Sequence, residues 1–133
     1  MSSLKVLMEI RTKEIVLRNI KFTRACLRDC LLLGEMPFAS HLLYTQPGIL
    51  DDENEMERFL GINAGFELVK KANRTVIYEN YGISTGMKYG IQNAEKSGRL
   101  IEFRKLPDNW EEEQNRILRG HSDSKLWGII LDK

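Results

Sequence analysis

The chain has 133 residues, of which 42% are hydrophobic and 29% are charged. This length and balance are typical of a soluble globular protein, and we expect one domain spanning residues 1–133. Twenty basic and nineteen acidic residues leave a formal net charge of +1, which provides no electrostatic attraction to nucleic acid or to an anionic membrane.

The expected compartment follows from the apolar runs and the cysteines. No run approaches the ~20 apolar residues that span a bilayer, and the first residues lack a signal-peptide pattern. Cys26 and Cys30 lie four apart in a predicted helix, where their side chains point the same way in poor geometry for a disulfide. The two histidines lack zinc-ligand spacing. We expect reduced thiols, no metal, no cofactor and a cytoplasmic protein.

Apolar segments alternate with helical segments along the chain. The predicted strands are 4–10, 36–41, 75–78, 100–103 and 126–131, and the predicted helices are 14–33, 54–71, 85–97 and one after residue 107. Strands that alternate with helices favour a parallel sheet with helices on both faces. The expected fold is a three-layer α/β domain, flavodoxin-like or Rossmann-like, with about five parallel strands in the order 2-1-3-4-5.

Capping residues mark the predicted helix ends. Thr12 stands before the first helix, and Gly34 and Gly98 are suited to cap helix C-termini. Asn54 is a plausible N-cap for the second helix. The acidic residues 51–57 fit the start of that helix better than a site for a hard metal ion, although both interpretations are open.

Polar residues follow three of the predicted strands. In an open parallel sheet, ligands bind beyond the carboxyl ends of the strands. The first such loop contains Arg11 and Thr12, the second contains His41, Tyr44 and Gln46, and the third contains Glu79, Asn80, Tyr81, Gly82, Ser84, Thr85 and Gly86. In the strand order given above, the three loops converge on one crevice.

The chemistry of these loops suits a nucleotide-like ligand. A helix N-terminus flanked by Gly82 and Gly86 offers N–H groups to phosphate, and Arg11 can bind an anion by a forked contact. For several of these residues, a purely structural role is as good an interpretation as ligand binding. Ser84 or Thr85 can simply cap the helix, His41 can bond local backbone, and the tyrosines can cover the sheet end.

Two stretches of the sequence carry a family resemblance. Residues 38–52 (FASHLLYTQPGILDD) and 57–106 (beginning ERFLGINAG and ending EFRKL) resemble a phage- and prophage-associated branch of the nucleoside 2-deoxyribosyltransferase-like superfamily. The resemblance covers about 4–106, which leaves a predicted helix and strand in 107–133. It implies a flavodoxin-like sheet, oligomers, and a strand-end pocket for nucleosides, nucleotides or related N-ribosides.

One departure from the superfamily pattern concerns the catalytic carboxylate. Active members resemble G-M-E-x-G at the start of the helix after the third strand, whereas this chain has Lys88 between Met87 and Tyr89. A lysine would repel the cation that develops on the sugar. The resemblance therefore assigns Met87 and Lys88 to ligand binding, and Glu79 of the neighbouring loop is the candidate catalytic residue only if the protein is an enzyme.

Binding without turnover is the favoured function at this point. The expected ligand is a nucleotide or ADP-ribose-type molecule, and in a phage setting the protein would sequester a nucleotide immune signal in the host cytoplasm. The first alternative is an N-glycoside hydrolase or deoxyribosyltransferase, with His41 or Tyr81 assisting Glu79. The second is a protein-docking module that uses residues 127–130 as an assembly edge. The expected partners are the small molecule and further copies of the chain, without nucleic acid or membrane.

Overall fold

The computed structural model describes the backbone of residues 2–119 and the side chains of residues 15–119. These residues form α1 (Ser2–Leu32), α2 (Ser40–Tyr44), α3 (Glu55–Val69), β1 (Arg74–Tyr78), α4 (Thr85–Ser97), β2 (Leu100–Arg104) and α5 (Trp110–Arg119). The chain forms two compact units, one from residues 1–25 and 107–133 and the other from residues 26–106.

The first predicted strand is wrong, because residues 4–10 are helical. They lie within α1, which continues unbroken from Ser2 to Leu32 and also contains Thr12, the residue predicted to precede the helix. Residues 4–10 are mostly Leu, Met, Glu and Lys, which are good helix formers. No glycine or proline occurs between residues 2 and 33, so the sequence provides nothing to end the helix.

The predicted cap at the end of α1 is confirmed. The N–H of Gly34 donates to the Leu31 carbonyl at 3.0 Å, and the N–H of Glu35 donates to the Cys30 carbonyl at 3.0 Å. This pair of bonds is a Schellman motif, which needs a left-handed residue after the helix. Gly34 supplies it with φ +84°.

The second predicted strand is also wrong. Residues 36–39 have irregular backbone, and the helix α2 begins at Ser40, inside the predicted strand. Pro37 has no N–H to donate to a neighbouring strand, which disfavours strand pairing here. The segment 42–52, which follows the predicted strand, therefore begins as helix and continues as turns.

The five-stranded, three-layer sheet is contradicted by the described residues, which contain two strands. β1 and β2 are parallel neighbours, with Val76 beside Glu102 and Tyr78 beside Arg104. The predicted strand 126–131 lies outside the described residues. Without strands at 4–10 and 36–41, the strand order 2-1-3-4-5 has no basis in this chain.

The β1–α4–β2 connection is confirmed as predicted. The β-branched residues Thr75, Val76 and Ile77 favour β1, and α4 returns the chain to a parallel neighbour. Gly98 ends α4 in the left-handed conformation, with φ +68°, and its N–H donates to the Ala94 carbonyl. The core of this second unit is small, and its buried apolar residues are Cys26, Cys30, Ile77, Tyr78, Ala94 and Leu106.

α2 and α3 form a tightly packed hairpin. The Asn54 side chain caps α3 by accepting from the Glu57 N–H at 3.1 Å, as predicted. Glycines on α3 allow close contact with α2 and with the segment after it. A Cβ at Gly65 would lie 2.6 Å from Ser40 Oγ of α2, and one at Gly61 would lie 3.2 Å from the side chain of Leu50, which follows α2.

The first unit joins α1 to α5. Phe22 and Trp110 are buried and pack edge to face, with ring centroids 5.2 Å apart. The Gln114 side chain donates to the Lys21 carbonyl at 2.7 Å. The first turn of α5 contains three glutamates and its last turn contains Arg116, an arrangement that matches the helix dipole.

Although α1 has 31 residues, no helix of the described residues is both long enough and apolar enough to cross a membrane.

The close contact between α2 and α3 yields a stability prediction. Gly65→Ala should lower the free energy of unfolding by about 1–3 kcal/mol, because the new methyl group has no room beside Ser40. Removal of the Ser40 hydroxyl in the Ser40→Ala background should reduce that loss. Denaturant unfolding of the purified variants measures both effects.

Gly90→Ala is the matched control, because a Cβ at this helical position meets nothing within 4 Å. It should leave the stability unchanged or raise it by up to about 1 kcal/mol, through better helix propensity. If Gly65→Ala and Gly90→Ala are equally stable, the described packing of α2 on α3 is incorrect.

Candidate functional site

A cluster of polar side chains lies at the carboxyl end of the two strands. We call it the Arg104 cluster, and its members are Asp29, Cys30, Glu35, Tyr78, Glu102 and Arg104. The Arg104 guanidinium is only 11% exposed and bonds Glu35 by two parallel contacts, at 2.8 and 2.6 Å. Its Nε donates to Glu102 at 2.5 Å. Forked contacts of this kind are among the strongest hydrogen bonds in proteins.

Tyr78 extends the Arg104 cluster to the last turn of α1. Its hydroxyl donates to Asp29 Oδ2 at 2.6 Å and lies 3.4 Å from Cys30 Sγ. Burial, helped by the hydrogen bond to Asp29, raises the pKa of Tyr78 and keeps the phenol neutral.

The thiols of Cys26 and Cys30 are buried, and their environment makes them poor nucleophiles. Burial raises the pKa of Cys30, and burial together with the nearby Cys30 raises the pKa of Cys26 to about 12. Both thiols therefore stay protonated at neutral pH, and a protonated thiol is a poor nucleophile and a poor metal ligand. Both cysteines are free, as predicted.

The Arg104 cluster is suited to holding structure rather than to proton transfer. Hydrogen bonds from Arg104 lower the pKa of Glu35 to about 2 and also lower that of Glu102, while the pKa of Arg104 is raised. A general acid or base needs a pKa near the working pH, which these groups lack. The cluster links the end of α1 to β1 and β2.

Sequence reasoning missed the Arg104 cluster, although part of its signal is visible. Residues two apart on a strand share a face, so Glu102 and Arg104 are predictable neighbours once β2 is assigned. The positions of Asp29 and Glu35 depend on where the end of α1 docks. That packing leaves no local trace in the sequence.

The predicted loop after β1 is held by Asn80. Its amide Nδ2 donates to the Leu106 carbonyl at 2.8 Å, and its Oδ1 accepts from the Leu106 N–H at 2.9 Å. The N–H of Glu79 donates to the Arg104 carbonyl at 2.9 Å, which continues the strand pairing. Gly82, with φ +82°, then turns the chain towards α4. Both polar ends of the Asn80 side chain thus serve the fold.

The first turn of α4 is open to solvent. Ser84 is the N-cap, because its Oγ accepts from the Met87 N–H at 3.2 Å, and the first helical bond runs from Lys88 N–H to the Ser84 carbonyl. The N–H groups of Thr85 and Gly86 come too early in α4 for an intrahelical partner. A Cβ at Gly86 would meet only Ser84 Oγ, at 3.9 Å, so another molecule can approach this backbone closely.

Two further predicted residues, His41 and Tyr44, line a cleft between α2 and α3. The cleft has a volume of about 60 Å³, which holds a few waters but is far below the ~300 Å³ of a small-molecule pocket. The His41 side chain is 76% exposed, and its Nε2 lies 3.9 Å from Asp52. The nearby Gln46 donates to the Leu43 carbonyl, in a local turn.

The acidic residues before α3 serve the start of that helix. Asp51 Oδ1 accepts from the Glu53 N–H at 3.0 Å, and Glu57 Oε1 accepts from the Asp51 N–H at 3.1 Å. Within the part of the chain that the structure describes, no group of three or more His, Cys, Asp or Glu residues is arranged to hold a metal ion.

A larger groove lies at the amino end of the strands. It has a volume of about 310 Å³ and is lined by Lys70, Ala72, Asn73, Ser97, Gly98 and Arg99. The Arg99 guanidinium donates to Thr75, Val69 and Asn93, so this cation is engaged in the fold. The C-terminal ends of α3 and α4 also face this region, and helix C-termini disfavour anions.

The structure distributes the predicted ligand-binding residues over three places. Arg11 and Thr12 lie within α1, and their side chains are outside the described residues. His41, Tyr44 and Gln46 belong to the α2–α3 hairpin, whereas Glu79, Asn80, Tyr81, Gly82, Ser84, Thr85, Gly86, Met87 and Lys88 belong to the β1–α4 connection. The predicted convergence depended on two strands that the structure replaces, so the β1–α4 connection is the remaining candidate site.

Residues 2–119, which the structure describes, thus combine helices with one parallel β-α-β unit. Comparison with known families matches residues 5–104 to a family described as a domain of unknown function, DUF7768, and the chain belongs to that family. No solved structure matches the chain. The family description assigns no chemistry, so the resemblance to nucleoside 2-deoxyribosyltransferases stays a prediction.

The bond between Glu35 and Arg104 predicts acid sensitivity. The pKa of Glu35 is lowered from 4.5 to about 2, mainly by hydrogen bonds from Arg104. A carboxylate with a depressed pKa contributes stability that is complete above about pH 4.5 and is lost as the pH falls towards 2. Glu35→Gln should therefore be less stable than wild type at pH 7, and the difference should shrink across this window.

Chemical denaturation between pH 2 and pH 7 measures this effect. Glu67→Gln is the control, because Glu67 pairs with Lys70 on the exposed surface of α3 and such pairs contribute little. A constant difference between wild type and Glu35→Gln at every pH would contradict the assignment.

Proposed function

We propose that the chain binds a nucleotide or ADP-ribose-type ligand at the first turn of α4 and releases it unchanged. The observation that carries the proposal is the open backbone at Thr85 and Gly86, whose N–H groups lie at a helix N-terminus. Phosphate oxygens accept hydrogen bonds from such groups and are favoured by the helix dipole. Lys88 is exposed and lies in the same first turn of α4, where it adds a positive charge.

The preceding loop supports the proposal because it is fixed before any ligand arrives. Asn80 ties the loop to Leu106, and Gly82 sets its turn. A preorganised loop loses little entropy on binding. The Tyr81 side chain is 47% exposed and offers a ring on which a base can stack.

Binding without turnover fits the charge and the solvent access of this site. Cleavage of an N-glycosidic bond is promoted by negative charge beside the sugar, in a site shielded from bulk solvent that would screen that charge. Lys88 contributes the opposite charge, and Ser84, Thr85 and Gly86 are all exposed. In an infected host cell, such a protein would act in the cytoplasm by lowering the free concentration of a nucleotide signal.

Gly86→Ala separates ligand binding from folding. The new methyl group has room in the free protein, so stability should be unchanged or higher, but it would stand between the backbone and a bound phosphate. We expect affinity for ADP-ribose or AMP, measured by titration calorimetry, to fall at least about tenfold, or about 1.4 kcal/mol. Gly90→Ala, farther along α4, should bind as wild type does.

Lys88→Ala tests the charge contribution in the same assay. It should weaken binding, and more so at low salt, whereas Lys96→Ala in the last turn of α4 should have no effect. If wild-type protein binds neither ADP-ribose nor any nucleoside monophosphate at high micromolar concentration, the proposal is wrong.

An N-glycosidase or deoxyribosyltransferase is the second candidate, favoured by the position of Glu79. This half-buried residue follows β1 directly, and its backbone is fixed to β2 by the bond to Arg104. Chromatography of a nucleoside and nucleotide panel after incubation distinguishes the two functions. We expect every compound to be recovered intact. Release of free base that Glu79→Gln abolishes would instead establish the enzyme.

A further inference from the structure

We propose that the groove at the amino end of the strands binds a small di- or tricarboxylate. We call it the amino-end groove. Its volume of about 310 Å³ lies at the lower end of the range for small-molecule sites, ~300–1,000 Å³. Its lining is polar and contains the cations Lys70 and Arg99 but no carboxylate. A ligand with several anionic groups would supply the charge that this lining lacks.

Arg99 is a fixed, half-buried cation without an anionic partner among the described residues. Its guanidinium donates to Thr75 Oγ1 at 2.9 Å, to the Val69 carbonyl at 3.2 Å and to Asn93 Oδ1 at 2.5 Å. All three acceptors are neutral, whereas Arg104 bonds two carboxylates. The bonds of Arg99 therefore hold the group in place but leave its charge uncompensated, and a partly buried charge is costly unless it is paired.

The remaining donors of Arg99 suit a carboxylate. A guanidinium has five N–H groups. The bonds to Thr75, Val69 and Asn93 use the Nε–H and one N–H on each terminal nitrogen, which leaves one N–H on each of those nitrogens. Two such donors are enough to contact both oxygens of one carboxylate, in the forked contact that distinguishes arginine from lysine.

Exposed lysines around the amino-end groove can bind the other carboxylates of the ligand. Lys70 lines the groove and pairs with Glu67 at 2.8 Å on the surface, where such a pair contributes little stability. Lys71 and Lys96 are exposed and adjoin lining residues in the chain. The exposed acids beside these lysines in the chain, Glu67 and Glu95, are fewer, so positive charge is in excess even without the guanidinium.

The helix ends at the amino-end groove are capped, which limits their repulsion of an anion. The last carbonyls of α4 accept from the N–H groups of Gly98 and Arg99. The Val69 carbonyl of α3 accepts from the Ala72 N–H and from the Arg99 guanidinium. The helix dipoles that remain disfavour a compact dianion such as phosphate more than a ligand whose charge is divided between separate carboxylates.

Titration of the full chain with citrate, followed by heteronuclear NMR, tests the proposal. Citrate should shift the amide signals of residues 70–73 and 97–99 and the Nε–H signal of Arg99, with saturation at or below millimolar concentration. Binding should weaken at high salt, because the contacts are between charges. Inorganic phosphate, at the same concentration and ionic strength, should bind at least several-fold more weakly.

Asn73→Asp is the decisive variant, because Arg99→Ala would also remove bonds that hold the fold. Asn73 is exposed and lines the groove, and the substitution keeps its shape while it places a negative charge beside the ligand. It should weaken citrate binding at least about tenfold. Asn63→Asp is the matched control, since Asn63 is exposed on α3 outside the lining, and it should bind citrate as wild type does. Circular dichroism confirms that both variants retain their helical content.

Three results would overturn the proposal. Groove signals that stay in place, or that move without saturation, would show that no specific site exists. Equal weakening by Asn73→Asp and Asn63→Asp would reduce the effect to net charge. Phosphate that binds as tightly as citrate would remove the preference for carboxylates. The amino-end groove and the first turn of α4 lie at opposite ends of the strands, so none of these results bears on the nucleotide site.

Discussion

The second unit depends on the bidentate bond between Arg104 and Glu35. A two-stranded sheet is marginal in water, because two strands alone bury little apolar surface. Here the strands are joined to the end of α1 through a guanidinium that is 11% exposed and contacts carboxylates from both β2 and the segment after α1. Loss of Glu35 would leave the partly buried guanidinium with Glu102 as its remaining carboxylate partner and two of its N–H groups without their acceptor, which is costly for a buried charged donor.

The Arg104 cluster and the candidate ligand site lie at the same end of the sheet. The first has a structural role, and the second is the candidate for binding. The residues of the Arg104 cluster satisfy one another, so they have little capacity left for a ligand. The β1–α4 connection begins next to Tyr78 and leads away from the cluster to a helix start whose N–H groups are free to bind an anion. A rigid cluster beside an open loop lets the loop keep its shape while its backbone stays accessible.

Features that depend on residues close together in the sequence were predictable, and features that depend on distant residues were not. Asn54, Gly34 and Gly98 were predictable as caps because a cap is decided by residues within one helical turn. Residues 75–78 were predictable as a strand from β-branched side chains. Residues 4–10 were mistaken for a strand because a short apolar run cannot be distinguished from a buried helical segment by its periodicity. That one error placed Arg11 and Thr12 at a strand end.

The candidate site was predictable in part for the same reason. Ser84, Thr85, Gly86 and Lys88 lie within five consecutive residues, so their placement at a helix start followed from local signals alone. The role of Asn80 was not predictable, because its partner Leu106 lies 26 residues later and beyond the next strand. The predicted convergence of the three strand-end loops depended on the order of the strands across the whole sheet. No local sequence pattern specifies that order.

The reactivity of the Cys30 thiol can be used to detect local opening of the second unit. Its thiol is buried beside the Tyr78 hydroxyl, among the groups that link α1 to the strands. An alkylating reagent reaches such a sulfur only when those groups separate, so the rate of modification measures how often the Arg104 cluster comes apart under native conditions. Local opening is normally followed by amide hydrogen exchange. Alkylation of this thiol would report the same opening as a covalent modification that mass spectrometry quantifies.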